Sequence, residues 1–370
     1  MADKGGLGFG RREAATGGER TTSAPGGGGI SDERPWPAGA PKLDEDLAAS
    51  LLPGRDARGH KGSFGKLLVI AGSLDYAGAA LLVCRGAGRA GVGLVTLAVP
   101  ESLQPLFAAK VVEATTMALP EDDVEEVDPE PSLSRILDHE HDAIVVGPGL
   151  RPGLATAELV RLLLSPPGDD PAPLVLDAEA LRSLASLDGW WTGDRRPAVL
   201  TPHVGEFRRL RAGSGDDPDA DGDLAEDEAR IAAATDAAST WGQVVVLKGA
   251  RTVIAAPDGR VAVAPFENPA LASGGTGDVL AGAIGSLLAQ GLATFDAARL
   301  GVYLHGAAGD AGRERFGDAG LLASDLPDGL AMARKRLTGL AERKRTGARL
   351  GFGAREVTRG ASPAGPTTIA

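Results

Sequence analysis

Short apolar runs alternate with longer helical segments through most of the 370-residue chain, and this alternation restricts the possible folds more than any other feature. Strands that are apolar on both faces and separated by helices are typical of a parallel sheet covered on both sides. The sequence therefore predicts an α/β domain with a central, mostly parallel sheet flanked by helices on both faces. The runs that we interpret as its strands are 66–71, 93–99, 143–147, 174–177, 198–201 and 244–248.

The C-terminal part of the predicted domain has a different pattern. Two apolar runs, 251–256 and 260–264, flank the turn Pro257-Asp258-Gly259 and predict an antiparallel hairpin at the sheet edge. Helical patterns follow at 277–289, 297–315 and 326–335. In open α/β sheets, ligands bind at the carboxyl ends of the strands. We therefore look for chemistry in the Gly, Asp, His and Lys residues that follow the apolar runs.

The two ends of the chain lack this alternation. The first 42 residues are rich in glycine and have almost no apolar periodicity, and the last stretch is rich in Gly, Pro, Thr and Arg. Segments of this composition bury too little apolar surface to offset the entropy lost on ordering. We expect a disordered tail at 1–42, one folded domain at 43–340 and a flexible tail at 341–370.

Charge and composition exclude several classes of function. The chain has 38 Lys and Arg against 50 Asp and Glu, a net charge of −12, which argues against nucleic-acid binding. No run approaches the roughly 18 to 20 apolar residues that span a bilayer, and the N-terminus lacks the apolar core of a secretory signal. The single cysteine, Cys84, lies in an apolar helical run and can form no internal disulfide. We expect a cytoplasmic protein that acts on small molecules, with Cys84 buried.

The strongest motif is Ala-Ser-Gly-Gly-Thr-Gly-Asp at 272–278, which leads directly into an apolar helix. Glycines before a helix start let backbone N–H groups and the positive end of the helix dipole hold an anion such as phosphate. A carboxylate beside a phosphate repels it, so Asp278 fits better as a base that takes a proton from an attacking hydroxyl. An ordinary helix-start role for Asp278 is the alternative.

Other polar residues follow the neighbouring runs. Lys248 ends the run 244–248, where it either meets a phosphate or is simply solvated. His203 lies at a strand-to-helix junction, where it either binds substrate or caps the helix. The glycine-rich turns at 60–66, 76–80 and 147–149 and the residue Asp177 complete this set of strand ends.

An acidic segment at 217–228 matches the calcium-binding loop pattern D-x-[DN]-x-[DN]-G-x₅-E in full. The residues before it, Ala212-Gly213-Ser214-Gly215, form a poor entering helix for such a loop. A solvated acidic insertion is the simpler interpretation, and calcium binding is the alternative.

Six segments resemble those of NAD(P)H-hydrate dehydratases and occur in the same order: HKGSFGKLLVIAGS, YAGAA, DAIVVGPGL, LTPHVGEF, LKGART and ASGGTGDVLAG. The resemblance covers residues 43–340 and implies a ribokinase-like fold, ADP as phosphoryl donor, Mg²⁺ and a homotetramer. The implied reaction phosphorylates the hydroxyl of the S-epimer of hydrated NADH or NADPH (NADHX or NADPHX). Loss of phosphate then gives NAD(P)H, AMP and phosphate. We also expect a separate NAD(P)H-hydrate epimerase as a functional partner.

The same resemblance assigns roles to individual residues. The hydrated cofactor is implied to contact Ala79, Gly149, His203 and Asp278, with Asp278 as the catalytic base. The adenine nucleotide is implied to contact Lys248, Gly249, Ala250, Arg251, Thr252 and Gly277. No protein ligand to a metal is assigned. The histidine at 203 is similar to that of the bacterial, ADP-dependent members.

Two other functions use the same motifs. A ribokinase-like kinase of a small alcohol or vitamin precursor would employ the glycine motif and Asp278 in the same way, without a site for a second dinucleotide. A non-catalytic nucleotide-sensing module would have no need of the carboxylate. A kinase-like site can perform a dehydration because hydroxide leaves poorly and phosphate leaves well.

Overall fold

The computed structural model describes residues 34–166, 172–215 and 221–350. Contacts divide the chain into two compact units, Met1–Trp36 and Pro37–Ala370. The described residues of the first unit, 34–36, form neither helix nor strand, and all elements belong to the second unit.

The strands of the second unit are β1 (Lys66–Ile70), β2 (Leu94–Pro100), β3 (Thr115–Leu119), β4 (Glu121–Asp123), β5 (Glu126–Val127), β6 (Ala143–Val146), β7 (Leu174–Leu176), β8 (Ala198–Leu200), β9 (Val244–Leu247), β10 (Val253–Ala255) and β11 (Val261–Val263). Its α-helices are α1 (Glu45–Ser50), α2 (Ala77–Ala90), α3 (Gln104–Ala108), α4 (Pro129–Leu137), α5 (Leu154–Leu164), α6 (Glu179–Leu184), α7 (Val204–Gly213), α8 (Asp227–Trp241), α9 (Thr276–Ala289), α10 (Thr294–Phe316) and α11 (Leu326–Leu350).

Within the described residues, nine strands form one sheet in the order β11-β10-β9-β8-β7-β6-β1-β2-β3. The strands from β9 to β3 in this order run parallel, and β10 and β11 run antiparallel at the edge. The predicted strands and the predicted edge hairpin are confirmed. The strand β3 and the separate β4–β5 ribbon were not predicted, because they lie in a segment without a continuous apolar run.

Helices cover both faces of the sheet. On one face α2, α9, α10 and α11 pack against one another, and on the other α4, α5, α6 and α7 pack in succession. Successive side chains of a strand point to opposite faces. In β1, Leu67 and Val69 therefore join the core beneath α2 and α9, while Leu68 and Ile70 are buried on the opposite face.

The position of α9 depends on glycines at its contacts. A Cβ atom on Gly282 would overlap the carbonyl oxygen of Val83 in α2, and a Cβ on Gly86 would lie 2.7 Å from the carbonyl oxygen of Val279. The absence of side chains there lets the two helix backbones approach closely. Since α9 also contacts β1, β6 and β7, its N-terminus is fixed next to the sheet.

The C-terminal helix is longer than the sequence pattern indicated. The helix α11 continues to Leu350, past residue 340, where we expected a flexible tail to begin. Leu340 and Ala341 pack against the core, and Lys344 forms an ion pair with Asp46 of α1 at 2.6 Å. These contacts hold a segment whose composition alone predicted no structure. Of the expected tails at 1–42 and 341–370, residues 1–33 and 351–370 lie outside the described residues. At the end of the N-terminal one, Lys42 forms a parallel bridge with Val263, whose N–H donates to the Pro41 carbonyl at 2.9 Å.

The calcium-loop pattern falls partly outside the described residues, at 216–220. In the described part, the carboxylate of Asp221 is buried and accepts hydrogen bonds from the Arg211 guanidinium at 3.2 and 3.3 Å. The described residues contain no group of three or more His, Cys, Asp or Glu side chains that could hold a metal ion. The carboxylate at the fifth loop position therefore faces a guanidinium.

Cys84 is buried in α2, as predicted, and burial raises the pKa of its thiol to about 12. The thiol therefore stays protonated at neutral pH. Among the described helices, none is long and apolar enough to cross a membrane.

Removing residues 1–36 is expected to leave the midpoint of thermal unfolding nearly unchanged, whereas removing residues 1–43 should lower it. The side chain of Leu43 is fully buried, and the N–H of Leu43 donates to the Val263 carbonyl at 2.9 Å. Loss of a buried leucine side chain costs about 2 to 5 kcal/mol. Thermal unfolding of the two shortened chains tests this expectation, and equal midpoints would contradict it.

Candidate active site

The candidate site lies where neighbouring parallel strands end. Asp177 follows β7, His203 follows β8 and Lys248 follows β9. The chain segments at His203 and Lys248 form a parallel bridge, and the Lys248 N–H donates to the Pro202 carbonyl at 2.8 Å. Residues far apart in sequence thereby meet at one edge of the sheet, as expected for an open α/β fold.

Lys248 is at the centre of a charged cluster. Its Nζ lies 2.8 Å from Oδ1 of Asp177 and 3.7 Å from Oε2 of Glu206. The side chain of Asp177 is only 2% exposed and that of Lys248 20%. The lysine is therefore not simply solvated, which was the alternative that its sequence position left open.

The charges of this cluster depend on one another. Burial lowers the pKa of Lys248, but the negative charges of Asp177, Glu206 and Asp278 outweigh burial and leave the pKa raised. Burial raises the pKa of Glu206, and the charge of Asp177 raises it further, while Lys248 opposes both. The ammonium of Lys248 thus stays protonated at neutral pH and supplies the positive charge of the cluster.

The glycine motif brings the N-terminus of α9 to this cluster. A Cβ on Gly277 would lie 3.4 Å from Nζ of Lys248 and 3.8 Å from Oδ2 of Asp177. Gly275 precedes the helix in the left-handed region at φ 89°, which favours glycine. The hydroxyl of Thr276 donates to the Leu271 carbonyl at 2.8 Å and so fixes the turn. Because a helix start leaves N–H groups without intrahelical acceptors, this end of α9 can bind an anion.

Asp278 lies in the first turn of α9 and titrates unlike an ordinary helix-start residue. Burial raises the pKa of its carboxyl to about 7; the nearby charge of Asp177 adds to this and Lys248 opposes it. A carboxyl that titrates near neutral pH can accept a proton and release it again under working conditions. The environment of Asp278 therefore suits proton transfer near neutral pH.

Two of the residues predicted to contact the hydrated cofactor lie side by side. Gly149 has φ 67°, and a Cβ there would lie 2.9 Å from the Cβ of Ala79 in the first turn of α2. The helix α2 also reaches the glycine motif, because a Cβ on Gly275 would lie 2.6 Å from a methyl carbon of Leu82. The N-terminal half of α2 therefore lies beside both Gly149 and the glycine motif.

His203 caps α7, which was one of its two expected roles. Its Nδ1 accepts hydrogen bonds from the N–H groups of Gly205 at 3.0 Å and Glu206 at 3.3 Å, and the Glu206 carboxylate accepts from the His203 N–H at 2.9 Å. An accepting Nδ1 leaves the proton of the neutral ring on Nε2. The imidazole is 56% exposed, so capping does not prevent it from contacting a ligand.

The segment 248–252, predicted to hold the nucleotide, is a tight turn. The hydroxyl of Thr252 donates to the Gly249 carbonyl at 3.0 Å. The guanidinium of Arg251 is 8% exposed and forms ion pairs with Asp227, at 2.8 Å, and with Glu267. The Arg251 side chain therefore anchors the turn through Asp227 and Glu267.

Asp177 and Glu206 belong to the site but were not among the residues assigned to a ligand. Asp177 is recognisable in the sequence only as a carboxylate directly after a buried strand, and Glu206 as the acidic residue of the segment 200–207. Neither position indicates that its carboxylate meets Lys248. The folded structure supplies this information, because the contacts join β7, β8 and β9.

A family model described as NAD(P)H-hydrate dehydratase matches residues 67–331, which include the cluster and the glycine motif. The chain belongs to the NAD(P)H-hydrate dehydratase family. This match favours the dehydratase interpretation over the kinase of a small alcohol and the nucleotide-sensing module.

Individual members of the family agree with this assignment. The chain is 43% identical over 291 residues to the bifunctional NAD(P)H-hydrate repair enzyme Nnr of Moorella thermoacetica, covering 78% of this chain and 52% of that protein. The chain thus spans about half the length of the curated relatives it matches. Among solved structures, it resembles the ADP/ATP-dependent NAD(P)H-hydrate dehydratase of Bacillus subtilis, crystallised with ATP and Mg²⁺, with 34% identity and a TM-score of 0.68 over 81% of this chain and 100% of that one.

The ribokinase-like fold implied by the resemblance is confirmed. A ribokinase-like superfamily protein from Enterococcus faecalis aligns with a TM-score of 0.68 at 25% identity, over 82% of this chain and 99% of that one.

Proposed function

We propose that this family member dehydrates the S-epimer of NADHX or NADPHX with ADP as phosphoryl donor, and that it releases NAD(P)H, AMP and phosphate. One observation carries the proposal: a carboxyl with a pKa of about 7, that of Asp278, lies in the first turn of a helix whose N-terminus adjoins the ammonium of Lys248. A base and an anion site are thereby adjacent, which phosphoryl transfer to a hydroxyl requires.

In the first step, the hydroxyl oxygen of the hydrated nicotinamide ring attacks the β-phosphorus of ADP. The carboxylate of Asp278 accepts the hydroxyl proton, and the bond between the β-phosphorus and the bridging oxygen breaks, so that AMP leaves. Lys248 and the N-terminus of α9 stabilise the negative charge on the transferred phosphoryl group. In the second step the C–O bond breaks with its electron pair on phosphate. Loss of a proton from the neighbouring ring carbon restores the double bond.

Each predicted contact has a place in this scheme. The turn formed by Lys248, Gly249, Ala250, Arg251 and Thr252 would hold the nucleotide from one side, with Gly277 on the other. The hydrated ring would lie against Ala79 and Gly149, near His203 and Asp278. In support, Ala79 adjoins Gly149, and Gly277 adjoins Lys248.

Magnesium would enter with the nucleotide. Mg²⁺ in nucleotide sites is commonly held by one or two carboxylates together with phosphates and water. In the described part of the chain, no cluster of three potential ligands exists, so the residues fit an ion carried by the phosphates. Asp177 and Glu206 are the carboxylates that could contribute an oxygen. When bound, the ion would neutralise phosphate charge.

We expect ADP to support dehydration much better than ATP at equal concentration. With ADP the group transferred is the terminal phosphoryl, which must lie in line with the substrate hydroxyl. The additional phosphate of ATP would occupy the place of the hydrated ring unless the nucleotide shifted. Chromatography of the spent nucleotide tests the donor. Accumulation of AMP and phosphate supports ADP as the donor. Preferential consumption of ATP with accumulation of ADP would contradict ADP as the donor and leave the dehydratase proposal standing.

The resemblance also supports a cellular setting for this activity. We infer a homotetramer in the cytoplasm that works with an NAD(P)H-hydrate epimerase, because an epimerase would convert the other epimer of the hydrate into the substrate. Relatives described as bifunctional NAD(P)H-hydrate repair enzymes are consistent with such a pairing.

A further inference from the structure

A buried histidine that the mechanism does not use lies behind the glycine motif. His305, in the middle of α10, is 9% exposed, and its Nε2 lies 2.9 Å from the carbonyl oxygen of Thr276 in the first turn of α9. A carbonyl can only accept a hydrogen bond, so the proton of the ring is on Nε2. Burial lowers the pKa of His305 to about 4, and it is therefore neutral at physiological pH.

The bonded carbonyl belongs to the peptide unit that carries the Gly277 N–H. In a trans peptide the C=O and N–H groups point in opposite directions. Holding the Thr276 carbonyl on His305 therefore fixes the Gly277 N–H in the opposite direction, and Gly277 itself adjoins Lys248, since a Cβ there would lie 3.4 Å from its Nζ. A hydrogen bond to the carbonyl also polarises the peptide and strengthens its N–H as a donor.

We propose that His305 is a positioning residue that orients the first turn of α9 so that the Gly277 N–H can hold the nucleotide phosphate. The inference rests on the proposed function for the identity of the anion. His305 acts through the Thr276 peptide and contacts neither reactant.

The surroundings of His305 fit this role. The next residue, Gly306, lies directly against the ring of Phe266, where a Cβ would overlap it. The hydroxyl of Thr276 is already bonded to the Leu271 and Ser273 carbonyls at 2.8 and 3.0 Å. The side chain and the carbonyl of Thr276 are thus both fixed, which leaves little freedom for the turn.

The test compares His305→Leu, which removes the donor, with His305→Gln, whose amide can still donate to the Thr276 carbonyl. We expect His305→Leu to weaken ADP binding and to lower kcat/KM for ADP by about tenfold to a hundredfold, with the KM for NADHX nearly unchanged. His305→Gln should stay within about threefold of wild type in both quantities. Leu304→Ala, at a fully buried neighbour on α10, is the matched control that lowers stability and leaves ADP affinity intact.

Calorimetric titration with ADP separates this inference from the proposed function, because it requires no turnover. Weaker ADP binding by His305→Leu with recovery in His305→Gln supports the role, even if hydrated NADH is not the substrate. If His305→Leu fails to fold, His305→Asn replaces it, since the shorter amide cannot reach the Thr276 carbonyl. Equal ADP affinity in the folded donor-lacking variant and wild type would overturn the proposal. So would a loss of ADP affinity in His305→Gln or in Leu304→Ala as large as that in the donor-lacking variant.

Discussion

Asp278→Asn is expected to lower kcat by about a hundredfold to ten-thousandfold while ADP still binds, because the substitution keeps the size of the side chain and removes the base. The carboxyl of Asp278, with a pKa of about 7, is ionised in a large fraction of molecules at neutral pH. Steady-state turnover and ADP titration of the variant measure the two effects separately. A kcat within about threefold of wild type would exclude Asp278 as the base.

Asp310→Asn is the matched control for this variant. Asp310 is also a carboxyl whose pKa is raised by burial, but it lies on α10 and accepts a hydrogen bond from Asn268 at 3.0 Å. The Asn side chain can accept the same bond. We expect this control to turn over like wild type, which would separate loss of the base from loss of a carboxylate with a raised pKa elsewhere in the domain.

The stability of Asp278→Asn relative to wild type should increase as pH rises, because this carboxyl destabilises the folded wild type when it ionises. Because the pKa of Asp278 is higher in the folded state than the ordinary 3.8, the folded state favours the protonated carboxyl. The protonated carboxyl therefore contributes to the free energy of unfolding of wild type. This contribution is complete below about pH 4 and is lost as pH rises through 7. Ionisation at pH 8 then costs the folded wild type up to roughly 4 kcal/mol, and asparagine avoids this cost. Urea unfolding near pH 5.5 and pH 8 should show the difference growing with pH.

Lys248→Met is expected to lower the free energy of unfolding by about 3 to 5 kcal/mol and to abolish measurable ADP binding. The substitution leaves the carboxylate of Asp177, only 2% exposed, without the ammonium that now lies 2.8 Å away. Uncompensated buried charge is among the most destabilising changes that one substitution can make. Urea unfolding and calorimetric titration with ADP measure the two losses.

The double variant Lys248→Met with Asp177→Asn distinguishes the structural from the binding role of the lysine. Neutralising Asp177 removes the uncompensated charge, so most of the lost stability should return. ADP binding should not return, because the cation that meets the phosphate is still missing. Binding of ADP by the double variant at wild-type affinity would show that Lys248 only balances Asp177.

The central sheet was predictable because its strands are short, apolar on both faces and separated by helices. In contrast, β3 has only two buried residues, Met117 and Leu119, and the β4–β5 ribbon is mostly acidic. Such segments depend on neighbours that are distant in sequence. The continuation of α11 past residue 340 has a similar cause as far as Lys344, since contacts with the core and with α1 hold it.

The site was predictable as a set of strand ends but not as a set of contacts. Sequence position placed Lys248 at a strand end, where it either meets a phosphate or is solvated, and Asp278 at a helix start, where it fits as a base. It could not indicate that Asp177 and Glu206 would share the ammonium of Lys248, since those contacts depend on the spatial order of the strands. His305 gave no signal either, because a histidine within an apolar helix is equally compatible with an ordinary core position.

The most direct test of the proposed function is a turnover assay on the purified protein with the S-epimer of NADHX and ADP in the presence of Mg²⁺. We expect the near-ultraviolet absorbance of reduced nicotinamide to return, with one AMP and one phosphate released for each NADH formed and no recovery when nucleotide is omitted. A folded, nucleotide-binding protein that regenerates no NADH from this substrate with either ADP or ATP would contradict the account.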